Sequence, residues 1–116
     1  MTDPNCLFCK IVAGQIPSDV VHEDELVLAF NDINPQAPVH QLVSPKRHIA
    51  SADDLTASEA ELLGRLFVVT ASLASKAGLP DKGYRVVTNV GADGGQSVDL
   101  LHFDLIVGRA MNWPPG

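Results

Sequence analysis

His102 and Asp104 are the residues in this chain best suited to chemistry, and they stand two positions apart in the apolar stretch DLLHFDLIVGR, Asp99 to Arg109. Strand side chains alternate between faces, so both would share a face with Leu100. Burying a polar group without a partner costs about 1–3 kcal/mol, which is consistent with a hydrogen-bonded core pair. A neutral imidazole is also a nucleophile toward phosphorus, which makes His102 a catalytic candidate.

A glycine-rich loop, NVGADGGQS, leads directly into this stretch. Glycines let backbone N–H groups approach an anion, and a hydroxyl can donate to a phosphate oxygen. The candidate phosphate contacts are Asn89, Gly95, Gln96 and Ser97, although a flexible hairpin loop would have the same composition. His40, in the segment PVHQLV, is a further candidate donor to a phosphoryl group, or an ordinary strand histidine.

Cys6 and Cys9 form a C-x-x-C pair, and His48 follows in SPKRH. Two thiolates with two imidazoles make a tetrahedral zinc site, but one C-x-x-C pair is a weak signal. His48 is also typical of a solvated turn, as is His22 beside the acidic residues 23–25. A thioredoxin-like redox role is disfavoured because the expected βαβ context is missing.

Composition limits the class of protein. The chain has 116 residues, 46% of them hydrophobic, which predicts a single domain over residues 1–116. A net charge of −6 disfavours nucleic acid as a partner. The absence of a transmembrane-length apolar run predicts no membrane partner, and the N-terminus is unlike a signal peptide. We therefore expect a cytoplasmic protein whose two cysteines are reduced thiols or metal ligands.

The surrounding pattern predicts an α+β fold with a five-stranded antiparallel sheet, one long helix and a short N-terminal helix. The short helix covers CLFCKIVAG, and DVVHEDELVLAFND is a hairpin. Strands are expected in APVHQLVSP, YRVVTNV and VDLLHFDLIVG. A capping box at Thr56 and Glu59 begins the long helix, Thr70 bonds back to Leu66 on its apolar face, and Gly78 ends it.

The tail MNWPPG ends the chain with an aromatic residue, Trp113, and two prolines. Exposed apolar groups of this size favour association, and a five-stranded sheet with one covering helix is small. Both observations predict a second subunit.

Together, CLFCKIVAGQIPS, LAFNDINPQAPVHQLVSPKRHI, GYRVVTNVGADGGQSV and GRAMNWPPG resemble the histidine triad (HIT) family, Hint branch, over nearly the whole chain. The resemblance implies a homodimer with one continuous sheet that hydrolyses purine nucleoside phosphoramidates and related adenylates. It implies AMP- or GMP-like ligands and no required cofactor.

The resemblance also assigns roles to individual residues. Phe8, Phe30 and Ile33 would line the purine pocket, with Leu7 and Ile11 beside them, and Asp32 would bind the ribose hydroxyls. Asn89 and Ser97 would hold the phosphate and leaving group, and His40 would be a further active-site histidine. His102 would be the nucleophile that forms a nucleotidyl intermediate. Trp113 and the final Gly116 would reach across the dimer toward the other subunit's site.

The chain departs from the family pattern His-x-His-x-His, because it has Leu100-x-His102-x-Asp104. Leu100 cannot donate a hydrogen bond, and Asp104 places negative charge near a phosphate, so nucleotide affinity should fall. The same change removes the fourth zinc ligand, so zinc at Cys6, Cys9 and His48 is doubtful unless Asp99 or water replaces it. These changes leave three hypotheses: an impaired phosphoramidase, an inactive nucleotide-binding dimer acting as sensor or scaffold, and a redesigned strand that forms a new oligomer contact.

Overall fold

The computed structural model describes residues 7–78 and 80–116 and has the predicted architecture. Helix α1 spans Leu7–Val12 and the long helix α2 spans Ala60–Lys76. The strands are β1 Val20–Glu23, β2 Val27–Asn31, β3 Val39–Pro45, β4 Tyr84–Val87 and β5 Phe103–Val107. They form one sheet in the order β1-β2-β3-β5-β4, with every neighbouring pair antiparallel.

The β1–β2 hairpin turns around Asp24, whose Oδ1 accepts the backbone N–H groups of Leu26 and Val27. The expectation that His22 is merely solvated is wrong. Its Nε2 lies 2.7 Å from Asp24 Oδ2, and Arg65 of α2 donates to the same oxygen at 3.0 Å. Asp24 therefore fastens the hairpin turn to the long helix.

The start of α2 follows the sequence prediction with one refinement. The capping box of Thr56 and Glu59 is present, but it caps a single 3-10 turn, Ala57–Glu59, and α2 begins at the next residue. Inside the helix, Thr70 Oγ1 donates to the carbonyl of Leu66 at 2.7 Å, as predicted. The buried side chains of α2 pack on one face of the sheet and form the main core with β2, β3 and β5.

Strand β5 is shorter than the pattern predicts, and so is β4. The expected strand from Val98 starts at Phe103, because the preceding chain turns so that Leu101 N–H bonds to the carbonyl of Ile49. The predicted alternation still holds, since Leu101 joins the α2-side core while Leu100 packs on the opposite side of the sheet.

The hypothesis that Leu100 creates a new oligomer contact is wrong in its premise. Its side chain is 1% exposed within the single chain, in a cluster with Phe8, Cys9, Phe30 and Leu42. A residue buried in its own subunit offers no surface to another. Among the helices of the described residues, none combines the length and apolar character needed to cross a bilayer.

Candidate functional site

A cavity of about 350 Å³ opens on the sheet face opposite α2. The sequence-predicted residues that line it are Phe8, Ile11, Phe30, Asp32, Ile33, Asn89, Ser97 and His102, with Asp104. A cavity with apolar walls and a few convergent polar groups is typical of small-molecule sites. The structure thus gathers most of the predicted site residues in one place.

The sheet register explains how the floor of the cavity forms. Phe30 of β2 pairs with Leu42 of β3, and Leu42 pairs with Asp104 of β5, so these three side chains stand side by side across three strands. Helix α1 covers one end, where the Phe8 ring meets Phe30 edge-on with centroids 5.5 Å apart. The two rings in contact form one apolar wall of the cavity.

His40 is 7% exposed and has both ring nitrogens engaged. Its Nδ1 accepts the backbone N–H of Gln36 at 3.1 Å, and its Nε2 lies 2.8 Å from Asp104 Oδ1 and 3.5 Å from Asp32 Oδ2. Since Nδ1 acts as an acceptor, the ring hydrogen resides on Nε2 and is donated to Asp104. His40 is therefore held as a neutral donor.

His102 is positioned through its other ring nitrogen. Nδ1 lies 2.8 Å from the carbonyl oxygen of Leu100, which can only accept, so Nδ1 carries a hydrogen. Nε2 lies 3.5 Å from Asp104 Oδ2, and the ring packs edge-on against Phe8. In its neutral form, His102 thus has its lone pair on Nε2 at the cavity.

The ligand atoms of Asp32, His40 and Asp104 lie within 4.8 Å of one another, a spacing compatible with a shared metal ion. The hydrogen assignment opposes this use of His40. Its Nε2 could bind a metal only if the hydrogen moved to Nδ1, where the N–H of Gln36 already points. These residues therefore form a hydrogen-bonded acid–imidazole cluster.

The glycine-rich loop is fixed by Gln96. Its Nε2 donates to the carbonyls of Ala50 (2.7 Å) and Val98 (3.0 Å), and its Oε1 accepts the N–H of Gly91. Gly94 is required by close packing, since a Cβ there would lie 2.3 Å from the carbonyl oxygen of Val90. The side-chain amide of Gln96 thus holds the loop in place through bonds within the loop and to the segment after β3.

Several predicted ligand contacts lie away from the cavity wall. Gly95 and Gln96 are in the loop but do not line the cavity, and Trp113 is 84% exposed in the tail. Ile33 contacts the cavity at its rim and is 99% exposed. Gly95, Gln96 and Trp113 therefore contribute nothing to the wall of this cavity.

The zinc candidates are only partly brought together. Cys9 Sγ lies 3.0 Å from His48 Nδ1, close enough for two ligands of one ion, while Cys6 falls outside the described residues. Leu100, which the family resemblance puts in the fourth ligand position, packs in the same cluster as Cys9 and offers no donor atom. The described residues therefore do not complete a four-ligand zinc site.

Sequence reasoning missed several cavity residues: Ile16, Pro17, Ser18, Asn31, Leu42 and Val98. Leu42 could have been found, because it lies two residues after His40 and alternation puts both on one face. Residues 16–18 lie in an irregular segment after α1, for which no periodicity exists.

The chain is similar in sequence to proteins that have been named for a bound metal or for an activity. The chain is 50% identical over 121 residues to a 14 kDa zinc-binding protein of Zea mays, covering 100% of this chain and 91% of that protein. It is 42% identical over 105 residues to a purine nucleoside phosphoramidase of Escherichia coli strain K12, covering 90% and 88%.

A solved structure of a HIT family hydrolase from Legionella pneumophila Philadelphia 1 superposes with a TM-score of 0.95 at 51% identity, covering 97% of this chain and 100% of that one. The family model for the HIT domain matches residues 13–111. The chain therefore belongs to the HIT domain family.

Proposed function

We propose that this chain binds a purine nucleotide of the AMP or GMP type in the cavity and hydrolyses a bond at its phosphorus through His102. The single observation that carries the proposal is the hydrogen bond from His102 Nδ1 to the Leu100 carbonyl, which leaves the lone pair of a neutral ring on the cavity side. The similarity to a purine nucleoside phosphoramidase supports a phosphoramidate as substrate.

In this proposal the purine packs against the wall formed by Phe8 and Phe30, beside the exposed Ile33. Asp32 accepts hydrogen bonds from the ribose hydroxyls. The phosphorus then faces His102, with Asn89 and Ser97 on the same wall.

The reaction has two displacements. The Nε2 lone pair of His102 forms a bond to phosphorus while the P–N bond of the phosphoramidate breaks, and the departing amine takes up a proton from solvent, relayed by the Ser97 hydroxyl. The oxygen of a water molecule then bonds to phosphorus while the His102–phosphorus bond breaks, the water returns a proton to solvent, and the nucleotide is released. Both steps need donors for the phosphoryl oxygens.

The rate should be low, because two of the donors expected from the family pattern are lost. His40 gives its hydrogen to Asp104, and Leu100 has none to give. Loss of one positioned donor typically costs about 2.7–4 kcal/mol in transition-state stabilisation, a hundredfold or more in rate.

We propose a cytoplasmic homodimer in which Trp113 of one subunit contacts the cavity of the other subunit.

Steady-state hydrolysis of an adenosine phosphoramidate tests the proposal. We expect slow turnover that His102→Ala abolishes and that His22→Ala, on the hairpin bonded to Asp24, leaves unchanged. Turnover that survives in His102→Ala would contradict His102 as the nucleophile.

A second candidate is a nucleotide-binding dimer without catalysis, a sensor or scaffold. The loss of two family histidines at Leu100 and Asp104 favours it. AMP binding with no turnover in the same assay would select this function.

A further inference from the structure

The inner end of the cavity has an unusual balance of donors and acceptors. His40 contributes one hydrogen, and Asp104 Oδ1 already accepts it. The Nδ1 hydrogen of His102 is donated to the carbonyl oxygen of Leu100. The second oxygen of Asp104 lies 3.5 Å from His102 Nε2, and the Oδ2 of Asp32 lies 3.5 Å from His40 Nε2, so both contacts are longer than a normal hydrogen bond.

The inner end of the cavity also carries a net negative charge. The backbone N–H of Gln36 keeps a hydrogen off His40 Nδ1, so this ring does not neutralise Asp104. The lining residues of the cavity include the carboxylates of Asp32 and Asp104 and, among the part of the chain the structure describes, no lysine or arginine. A dianionic phosphate placed there meets two like charges in a partly desolvated pocket.

We propose that Asp104 makes this end of the cavity select a protonated amine over a phosphate dianion. An ammonium group carries three hydrogen-bond donors and one positive charge, which matches the carboxylate of Asp104, whereas a phosphate dianion brings only acceptors and negative charge. The inference rests on the proposed function for the position of the nucleoside, since the ribose at Asp32 directs its 5′ substituent toward Asp104.

For the proposed hydrolysis, a preference of Asp104 for a protonated amine narrows the class of phosphoramidates that would be good substrates. A nucleoside phosphoramidate whose leaving group bears a second, protonated amine has a phosphoryl charge of −1 balanced by +1. Such a zwitterion brings its own counter-charge to Asp104, whereas a phosphoramidate with an uncharged alkyl leaving group does not. Asp104 would then be a specificity-determining residue.

The test compares three ligands that differ at the 5′ position: adenosine, AMP and 5′-amino-5′-deoxyadenosine, which is protonated at neutral pH. Calorimetric titration of the full chain should show the aminonucleoside binding at least about tenfold more tightly than AMP, since like-charge juxtaposition is strongly unfavourable. Asp104→Asn should shrink this ratio, and Asp104→His should reverse it.

Asp99→Asn is the matched control. It removes the same charge from an exposed residue that does not line the cavity, and it should leave the order of affinities unchanged. A change in the order equal to that of Asp104→Asn would mean that net charge, and not the Asp104 carboxylate, sets the preference.

Three further outcomes would overturn the inference. Tighter binding of AMP than of the aminonucleoside by the natural chain contradicts it directly. AMP that becomes the tightest ligand once Mn²⁺ is added would show that the two acids serve a metal ion instead. Failure to bind adenosine itself would count against the nucleoside pocket, and so against the proposed function as well.

Discussion

Asp104 lies diagonally across the β3–β5 ladder from His40, and the two side chains meet at 2.8 Å, Oδ1 to Nε2. The ladder pairs His40 with Ile106 and Leu42 with Asp104, so the contact joins residues one diagonal step apart on the cavity face. Diagonal pairs on a sheet face are within reach of long side chains. The carboxylate thus occupies the space between two imidazoles.

Asp104→Leu should destabilise the fold by about 1–3 kcal/mol, because it leaves the buried Nε2 hydrogen of His40 without its acceptor. Asp104→Asn retains an acceptor oxygen and should cost less. Urea unfolding measures both. The double variant His40→Leu/Asp104→Leu removes both partners, and a cost well below the sum of the single variants would confirm the coupling. Additive costs would contradict it.

Asp24 should make stability depend on acid pH. Burial would raise the pKa of its carboxyl, but hydrogen bonds from the His22 and Arg65 side chains and from two backbone amides outweigh burial and hold the pKa well below its usual range. A lowered folded-state pKa gives stability that is present above the unfolded value of about 3.9 and is lost as pH falls toward the folded value.

Asp24→Ala should therefore lose about 1.5–3 kcal/mol of unfolding free energy near pH 7, and the deficit should narrow below about pH 4. Unfolding curves at both pH values provide the measurement. Glu25→Ala, in the same turn but exposed, is the control and should change little. A deficit that stays constant between the two pH values would mean that Asp24 acts through its shape and not its charge.

Asp32→Ala should weaken AMP binding by about 1.5–3 kcal/mol, the range for hydrogen bonds to a charged group. Asp53→Ala removes an exposed acid outside the cavity and serves as the matched variant. Equal AMP affinity in Asp32→Ala and the natural chain would show that the ribose is held elsewhere.

Zinc content should be low in protein purified without chelators, because Leu100 stands where a fourth ligand is needed and structural zinc sites are almost always four-coordinate. Leu100→His should raise the content toward one ion per chain by metal analysis. Cys9→Ser in that background should lower it again, since Cys9 lies against His48. One zinc per natural chain would show that another group completes the site.

The chain should form a homodimer in solution. Several large apolar side chains are exposed in one subunit, including Val68 at 66% and Trp113 at 84%. Sedimentation equilibrium at micromolar concentration should give twice the chain mass, and Val68→Lys should shift the protein toward monomer. Glu61→Lys, on an exposed polar position of the same helix, is the control. A natural chain that sediments as a monomer would contradict the shared active site.

Helices and strands were predictable where the local sequence has a clear repeat of apolar residues or a clear helix-capping motif. The capping box at Thr56 and the apolar stripe of α2 are of this kind. The start of β5 was not, because the apolar run from Val98 to Val107 has the same alternation whether or not its first half pairs with a neighbouring strand.

In the candidate site too, some features follow from the local sequence and others depend on contacts between distant residues. Alternation placed His102 and Asp104 on one face of the sheet, but it could not reveal that Asp104 bonds to His40, 64 residues away, because that contact depends on the β3–β5 register. The role of Gln36 depends on its backbone and carries no side-chain signal at all.

The three hydrogen bonds of Gln96 tie the glycine-rich loop to the segment after β3 and to itself. A loop rich in glycine has high conformational entropy when it is free. If the loop became ordered only when a ligand binds, the free-energy cost of ordering it would lower the affinity for every ligand. Here the ordering is completed during folding. Ligand capture should therefore proceed without a loop-closing step, and the amide of Gly91 should exchange slowly with solvent even in the empty protein.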